Sequence, residues 1–252
     1  MGTLARQRDT IALAAHDVLC QQSETVDSGS NQAFTDRREA GRVLAAHLEA
    51  YRGQRDVVVL ALPRGGVPVA FEVAEALDAP LDVFVVRKLG LPGQPEFAIG
   101  AIASGGVRVL NDAAIRRYRV TQNHIDTVTR EELAELQRRE QEYRQGRSLI
   151  DLHRRAVILI DDGLATGSSM RAAVQAVRAH QPARVIVAVP VGASSTCEAL
   201  AAITDETVCA RTPEPFSAVG LWYRDFSQTT DEEVRLLLQQ HASLGQTSGR
   251  IP

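Results

Sequence analysis

Residues 157–174 read VILIDDGLATGSSMRAAV. Four apolar residues, Val157 to Ile160, run straight into Asp161 and Asp162. A small loop from Gly163 to Ser169 follows, and then a run of helix formers. A short, wholly apolar run is the mark of a strand buried on both faces, as in a parallel sheet. The first N–H groups of a following helix have no internal partner and carry the positive end of its dipole. Gly167 lets backbone come close to a ligand, and the hydroxyls of Thr166, Ser168 and Ser169 add donors. Together these make a cradle for phosphate. Two carboxylates would repel a phosphate. They suit sugar hydroxyls, or a magnesium ion shared with them. The stretch therefore asks for a phosphate on one side and a polyhydroxylated group on the other. Neither a GxxxxGK[ST] loop nor a GxGxxG loop is present. Alone, the acid pair reads as turn chemistry and the TGS as a helix cap; their combination carries the reading.

The chain around this stretch repeats the pattern. Phe34 to Tyr51 reads as a helix, with Thr35 or Asp36 as its cap, Glu39 at the capping-box position and an apolar stripe of Leu44, Leu48 and Tyr51. Asp56–Leu62 and Leu81–Val86 read as buried strands on either side of a helix from Val67 to Leu77, a crossover unit. The region from Arg87 to Gly106 is rich in glycine and proline, and Gly105-Gly106 looks like a hairpin turn. Thr121 to about Gly146 reads as a long charged helix with a largely solvated face. Beyond the opening stretch come a strand RVIVAVPV (Arg184–Val191), a helix near Ser194–Ala202, a short strand around Thr207–Cys209 and a last helix from Thr230 to Gln240. Residues 1–33 read as a partly flexible extension, 34–240 as the domain and 241–252 as a tail. Alternating buried strands and helices predict an α/β fold, an open and mainly parallel twisted sheet with helices on both faces. Ligands of such sheets bind beyond the carboxyl ends of the strands.

Two more loops stand at such ends. After the first strand comes LPRGGVP, where Arg64 is a cation in a turn whose Gly65 and Gly66 allow close approach to an anion. After the second comes VVRKLGLPGQPEF, with Arg87 and Lys88 as paired cations. Gly90–Pro95 then forms a candidate lid, and Glu96 is a group within it that could reach a base.

Bulk properties narrow the classes. The chain has 252 residues with 44% hydrophobic and 4% aromatic content, so its core is aliphatic. A net charge of -3 offers no general nucleic-acid field. The three cysteines are scattered and argue against a disulfide framework or a structural zinc site, in keeping with a reducing cytoplasm. No apolar run approaches the ~20 residues of a membrane span. No basic-then-apolar leader is visible at the N-terminus. His124, His153, His180 and His241 are isolated, without metal-ligand spacing.

The strand, the acid pair and GLATGSS closely resemble the phosphoribosyl-pyrophosphate (PRPP) signature of type I phosphoribosyltransferases, nearest to the adenine- and uracil-type members that share LATG. The resemblance covers roughly Phe34 to Gln240. It implies that Asp161 and Asp162 take the ribose hydroxyls, directly or through Mg²⁺. Ala165, Thr166, Gly167, Ser168 and Ser169 would take the 5′-phosphate. Arg64, Gly65, Gly66, Arg87 and Lys88 would take pyrophosphate. A non-proline cis peptide is expected near Arg64-Gly65. The activity implied is Mg²⁺-dependent transfer of phosphoribose from PRPP to a nitrogenous acceptor in the cytoplasm, by a protein that binds neither nucleic acid nor membrane and forms a homodimer. A carboxylate that acts on the base in 6-oxopurine-type members is replaced here by Ala165, which argues against that route. A hood of about 210–227 concentrates Phe216, Trp222, Tyr223 and Phe226 as stacking or packing residues and matches no particular enzyme's hood. Two rival readings stay open: a non-catalytic PRPP or nucleotide sensor, and a sugar-phosphate binding or hydrolysing domain.

Overall fold

The structure is a computed structural model that describes residues 32–91 and 93–248. All but the end of the expected N-terminal extension lies outside the described residues.

Five parallel strands form the main sheet in the order β2-β1-β6-β7-β8. They are β1 (Val57–Ala61), β2 (Leu81–Val83), β6 (Ala156–Ile160), β7 (Arg184–Val191) and β8 (Glu206–Arg211). Val57 pairs with Ala156 and Ala61 with Ile160, so β1 and β6 end side by side. Successive side chains on a strand face opposite ways. Val57, Val59, Ile158, Ile160, Ile186 and Ala188 therefore enter one core. Val58, Leu60, Val157, Leu159, Val187 and Val189 enter the other. This is why the central strands are apolar throughout instead of alternating.

Helices α1 (Arg37–His47), α2 (Gly66–Leu77) and α7 (Asp231–Ser248) serve the first core, and α5 (Ser168–Ala179) and α6 (Ser194–Ala201) the second. Asp36 is the cap of α1: its Oδ1 accepts from Glu39 N at 2.8 Å, and Glu39 in return accepts from Thr35 N. The last helix runs on to Ser248, beyond the Gln240 expected, and just past Gln240 the His241 ring meets Phe71 of α2 edge-on, centroids 6.2 Å apart.

The apolar run Leu81–Val86 is not one strand. Only Leu81–Val83 pairs with β1. From Val86 the chain enters a separate antiparallel sheet of β3 (Val86–Leu91), β4 (Gln94–Ala103) and β5 (Val107–Leu110). Phe84 and Val85 are buried between the two sheets, so the apolar pattern continues across the break and hides it. The Gly105-Gly106 turn joins β4 to β5 as expected, both glycines at positive φ. The expected lid is the tip of the β3–β4 hairpin, where the register shifts around Gly90. Pro92 lies outside the described residues, and Glu96 falls within β4 with a side chain outside what the structure describes.

Short helix α3 (Asp112–Arg117) leads to the long charged helix α4 (Gln122–Arg144), capped by Thr121 as read from the sequence. Its C-terminal turn is not legible from the sequence as more than solvated charge. Arg144 is 4% exposed and holds Asp82, itself 6% exposed, at 2.9 Å. It also donates to the Val83 carbonyl at 2.5 Å and to Ser104 Oγ at 3.3 Å. Ser104 stands at the β4–β5 turn, so one guanidinium ties α4, the main sheet and the hairpin sheet together.

The cysteines correct an expectation. Cys197 on α6 and Cys209 on β8 are joined by a disulfide. Their 12-residue separation gives no sequence signal, because only the packing of α6 against β8 brings them together. No helix among the described residues is long and apolar enough to cross a membrane.

Candidate active site

The strand order reverses between β1 and β6: from β1 the chain moves outward to β2, and from β6 it moves the other way through β7 to β8. The loops leaving two such strands diverge and open a crevice at their carboxyl ends. Those loops are Pro63–Gly66 and Asp161–Ser169. The sequence reading singled out both, and the fold sets them against one another.

Their contact is intimate. A Cβ built on Gly65 would fall 2.0 Å from Asp162 Oδ2, and one on Gly66 would fall 2.7 Å from the Ile160 carbonyl oxygen. Only glycine allows the first loop to lie on the acid pair at this distance. The peptide between Pro63 and Arg64 is cis, one bond earlier than expected. Arg64 is one-third exposed, with Asp231 of α7 at 3.9 Å.

Asp161 and Asp162 are half-buried at the mouth of the crevice. Asp161 Oδ1 accepts from the Asp162 N–H at 2.9 Å. Enclosure by protein, followed by the neighbouring Asp162 charge, pushes the Asp161 carboxyl well above the usual range. Burial also raises Asp162, against the pull of Arg37. A pair of acids enclosed in this way is suited to a cation or to hydroxyl donors. Among the described residues no cluster of three or more His, Cys, Asp or Glu could hold a metal alone. Two carboxylates with substrate oxygens are nonetheless a common magnesium arrangement. The donor set fits an ion that arrives with its substrate.

Arg37 was missed by sequence reasoning. It lies on α1, far along the chain, and its Nε donates to Asp162 Oδ2 at 2.8 Å. Its Nη1 donates to the Ser227 carbonyl at 2.7 Å, and its guanidinium stacks 4.0 Å from the Phe226 ring centroid. Nothing in the local sequence marks one arginine of the RR pair at the start of α1 as an active-site ligand.

The phosphate cradle is built by tethers on every side. Gly167 caps α5 in the left-handed conformation, φ +66. A Cβ there would come 2.7 Å from Thr196 Cγ2. Thr196 Oγ1 donates to the Ala165 carbonyl at 2.7 Å, and Arg171 donates to the Thr166 carbonyl. Leu164 N donates to the Val191 carbonyl at 2.9 Å, which pins the loop to the end of β7. Asp161, Ala165, Thr166, Gly167, Ser168 and Ser169 line one hollow of about 170 Å³, closed on the hood side by Val219.

The remaining expected residues scatter. Arg87 and Lys88 alternate across β3 and face different ways. Arg87 Nε donates to Glu132 on α4 at 2.6 Å. Lys88 lines a cavity against α5. In the hood, Tyr223 is 5% exposed and its hydroxyl donates to the Asp162 carbonyl at 2.6 Å. Phe216 and Trp222 pack on the cluster of Phe34, Ala40, Val191 and Tyr223. Phe34 bridges to Tyr223 as a one-residue strand, so the hood is sealed by the segment before α1. Of these rings, Tyr223 supports the acid pair, through its bond to the Asp162 carbonyl.

Comparison with known proteins agrees with this geometry. Residues 31–210 match the model of the phosphoribosyl transferase domain. The chain is 52% identical over 207 residues to "Putative phosphoribosyl transferase Rv0571c" of Mycobacterium tuberculosis H37Rv, covering 82% of this chain and 46% of the relative. A CDC 1551 strain relative, MT0597, gives the same figures. The chain thus spans about half the length of the curated relatives it matches. The crystal structure of TT1426 from Thermus thermophilus is similar at TM-score 0.75 and 44% identity, covering 83% of this chain and 99% of that one.

Proposed function

This chain belongs to the phosphoribosyl transferase domain family, and on that footing we propose that it transfers a 5-phosphoribosyl group from PRPP to a nitrogenous acceptor of the nucleobase class, releasing pyrophosphate. One observation carries the reading. The Arg64–Gly66 loop and the Asp161–Ser169 loop meet at the switch point, with Gly65 pressed onto Asp162.

Each part of PRPP has a matching surface. The 5′-phosphate suits the hollow at the start of α5, where backbone N–H groups and three hydroxyls converge. The ribose hydroxyls suit Asp161 and Asp162, and Tyr223 and Arg37 hold Asp162 in place. The pyrophosphate suits Arg64 and the Gly65 and Gly66 amides. Arg87, held by Glu132 on α4, is a further cation on β3 of the hairpin sheet.

The reaction moves one bond. An acceptor nitrogen lone pair attacks ribose C1, the C1–O bond breaks, and the electron pair leaves with pyrophosphate. Positive charge grows on the sugar ring beside the two carboxylates, which are fixed before it forms. Arg64 stabilises negative charge on the departing oxygen. The cradle and the acid pair hold C1 still, and that orientation is the protein's main contribution. Mg²⁺, held by Asp161 and Asp162 with substrate oxygens, would supply charge neutralisation of the pyrophosphate. The β3–β4 hairpin tip is the segment suited to cover the crevice and exclude water.

Calorimetry with the two halves of the substrate tests this placement. With magnesium, ribose 5-phosphate and pyrophosphate are each expected to bind, and saturation with one leaves the other's site open. Intact PRPP binds at least about tenfold tighter than either half, since one molecule spans both surfaces. Mutual displacement of the two halves would contradict the arrangement.

A further inference from the structure

Lys88 is the only lysine among the 28 lysines and arginines of this chain. Wherever a solvated or ion-paired cation is needed, the sequence uses arginine. A lysine ammonium differs as a compact, strongly hydrated point charge with three rotatable donors. Its single use points to a place where a planar guanidinium does not serve.

The structure shows that place. Lys88 lines a cavity of about 500 Å³ between the β3–β4–β5 sheet and α5. Its ammonium has no ion-pair or hydrogen-bond partner among the described residues. Arg171, Ser168, Gln175 and Ala172 of α5 form the opposite wall, and Asp112 is the one carboxylate among the described lining residues. Two cations against one acid leave the cavity positive. Ser168 lines this cavity and the phosphate cradle alike, so the two lie on either side of one residue. Among the described lining residues none is aromatic. It is too large for phosphate alone, lying within the ~300–1,000 Å³ of small-molecule sites.

We propose that this cavity is a second anion-binding site, distinct from the crevice at the switch point, and that it takes a phosphate monoester with a small non-aromatic body. Lys88 and Arg171 hold the phosphate, Gln175 offers hydrogen bonds, and the described lining gives no ring on which a base could stack. The site stands whether or not the crevice turns PRPP over.

A single lysine makes the test direct. Reductive methylation with ¹³C-formaldehyde labels Lys88 and the N-terminal amine of the full chain and keeps the positive charge. The Lys88 methyl signal is followed by NMR during titration with inorganic phosphate, with chloride at matched ionic strength as control. A saturable shift with phosphate, absent with chloride, is expected. Its midpoint changes less than about twofold when magnesium and PRPP are added at saturation. Arg171→Gln weakens the midpoint at least tenfold. Ala172→Leu fills the cavity without touching a charge and does the same. A linear, chloride-like response, or a midpoint unchanged in both variants, overturns the site. A midpoint that rises in proportion to PRPP places Lys88 in the PRPP site and overturns it equally.

Discussion

Replacing both acids, Asp161→Asn with Asp162→Asn, is expected to abolish PRPP binding and turnover while leaving the protein folded and more stable. Losing preorganised charge at a reacting centre costs on the order of 10²–10³ in rate for a single donor, and here two groups go together. The stability effect has the opposite sign. Both carboxyls are raised in the folded protein by burial, Asp161 most, where the neighbouring Asp162 charge adds to it, and Asp162 against the pull of Arg37. The folded state therefore holds its protons more tightly than the unfolded chain. Stability falls as pH climbs from the ordinary carboxylate range through the folded value, because ionising the enclosed pair is a net cost. Asparagine at 161 removes that charge and keeps the oxygen that accepts from Asp162 N. A Tm higher by a few degrees is expected, each kcal/mol being worth about 2–4 °C in a domain of this size. Calorimetric PRPP affinity and thermal unfolding check the two halves. Unchanged affinity would remove the ribose assignment, and a lowered Tm would remove the electrostatic account of the pair.

Arg144 carries the largest expected effect on stability. It is buried with Asp82 and bonded to Glu140 Oε1 at 2.5 Å, to Val83 O and to Ser104 Oγ. Removing one partner of a buried pair leaves the other charge uncompensated, at about 3–5 kcal/mol. Arg144→Met should therefore lose about that much, read by urea unfolding. Asp82 keeps two backbone donors, Val83 N and Ile150 N, so Asp82→Asn in the Arg144→Met background should recover part of the loss. A loss under about 1 kcal/mol would mean that the clamp between the two sheets does not bear on stability. Because Ser104 closes the β4–β5 turn, the hairpin sheet should also lose amide-exchange protection before the five-stranded sheet does.

The contrast between Arg144 and Asp161 marks what the sequence could carry. The acid pair, the cradle and the Arg64 loop were legible because each is a local pattern tied to a strand end, and the parallel order then forces them to one edge. The central strands were legible for the same reason: burial on both faces leaves them apolar throughout. Leu81–Val86 was not separable, because the apolar run crosses from one sheet to another without a polar break. Arg37, Arg144 and the Cys197–Cys209 bond are long-range choices. Arg37 looks like its neighbour Arg38, and Arg144 looks like the many charges before it on α4. Only packing makes one arginine a ligand of Asp162 and another the clamp of Asp82. The hood aromatics show a further limit: Tyr223 reads as a ring for stacking or for packing, and in the fold the ring is enclosed while its hydroxyl supports the backbone of Asp162.

The measurement closest to the central claim is PRPP-dependent pyrophosphate release across a broad panel of nucleobases and amines, with magnesium present and the double aspartate variant as control. Release that requires one acceptor class, and vanishes in the variant, is the expected result. Binding of PRPP without release for any acceptor would contradict a transferase and favour a sensor built on the same crevice.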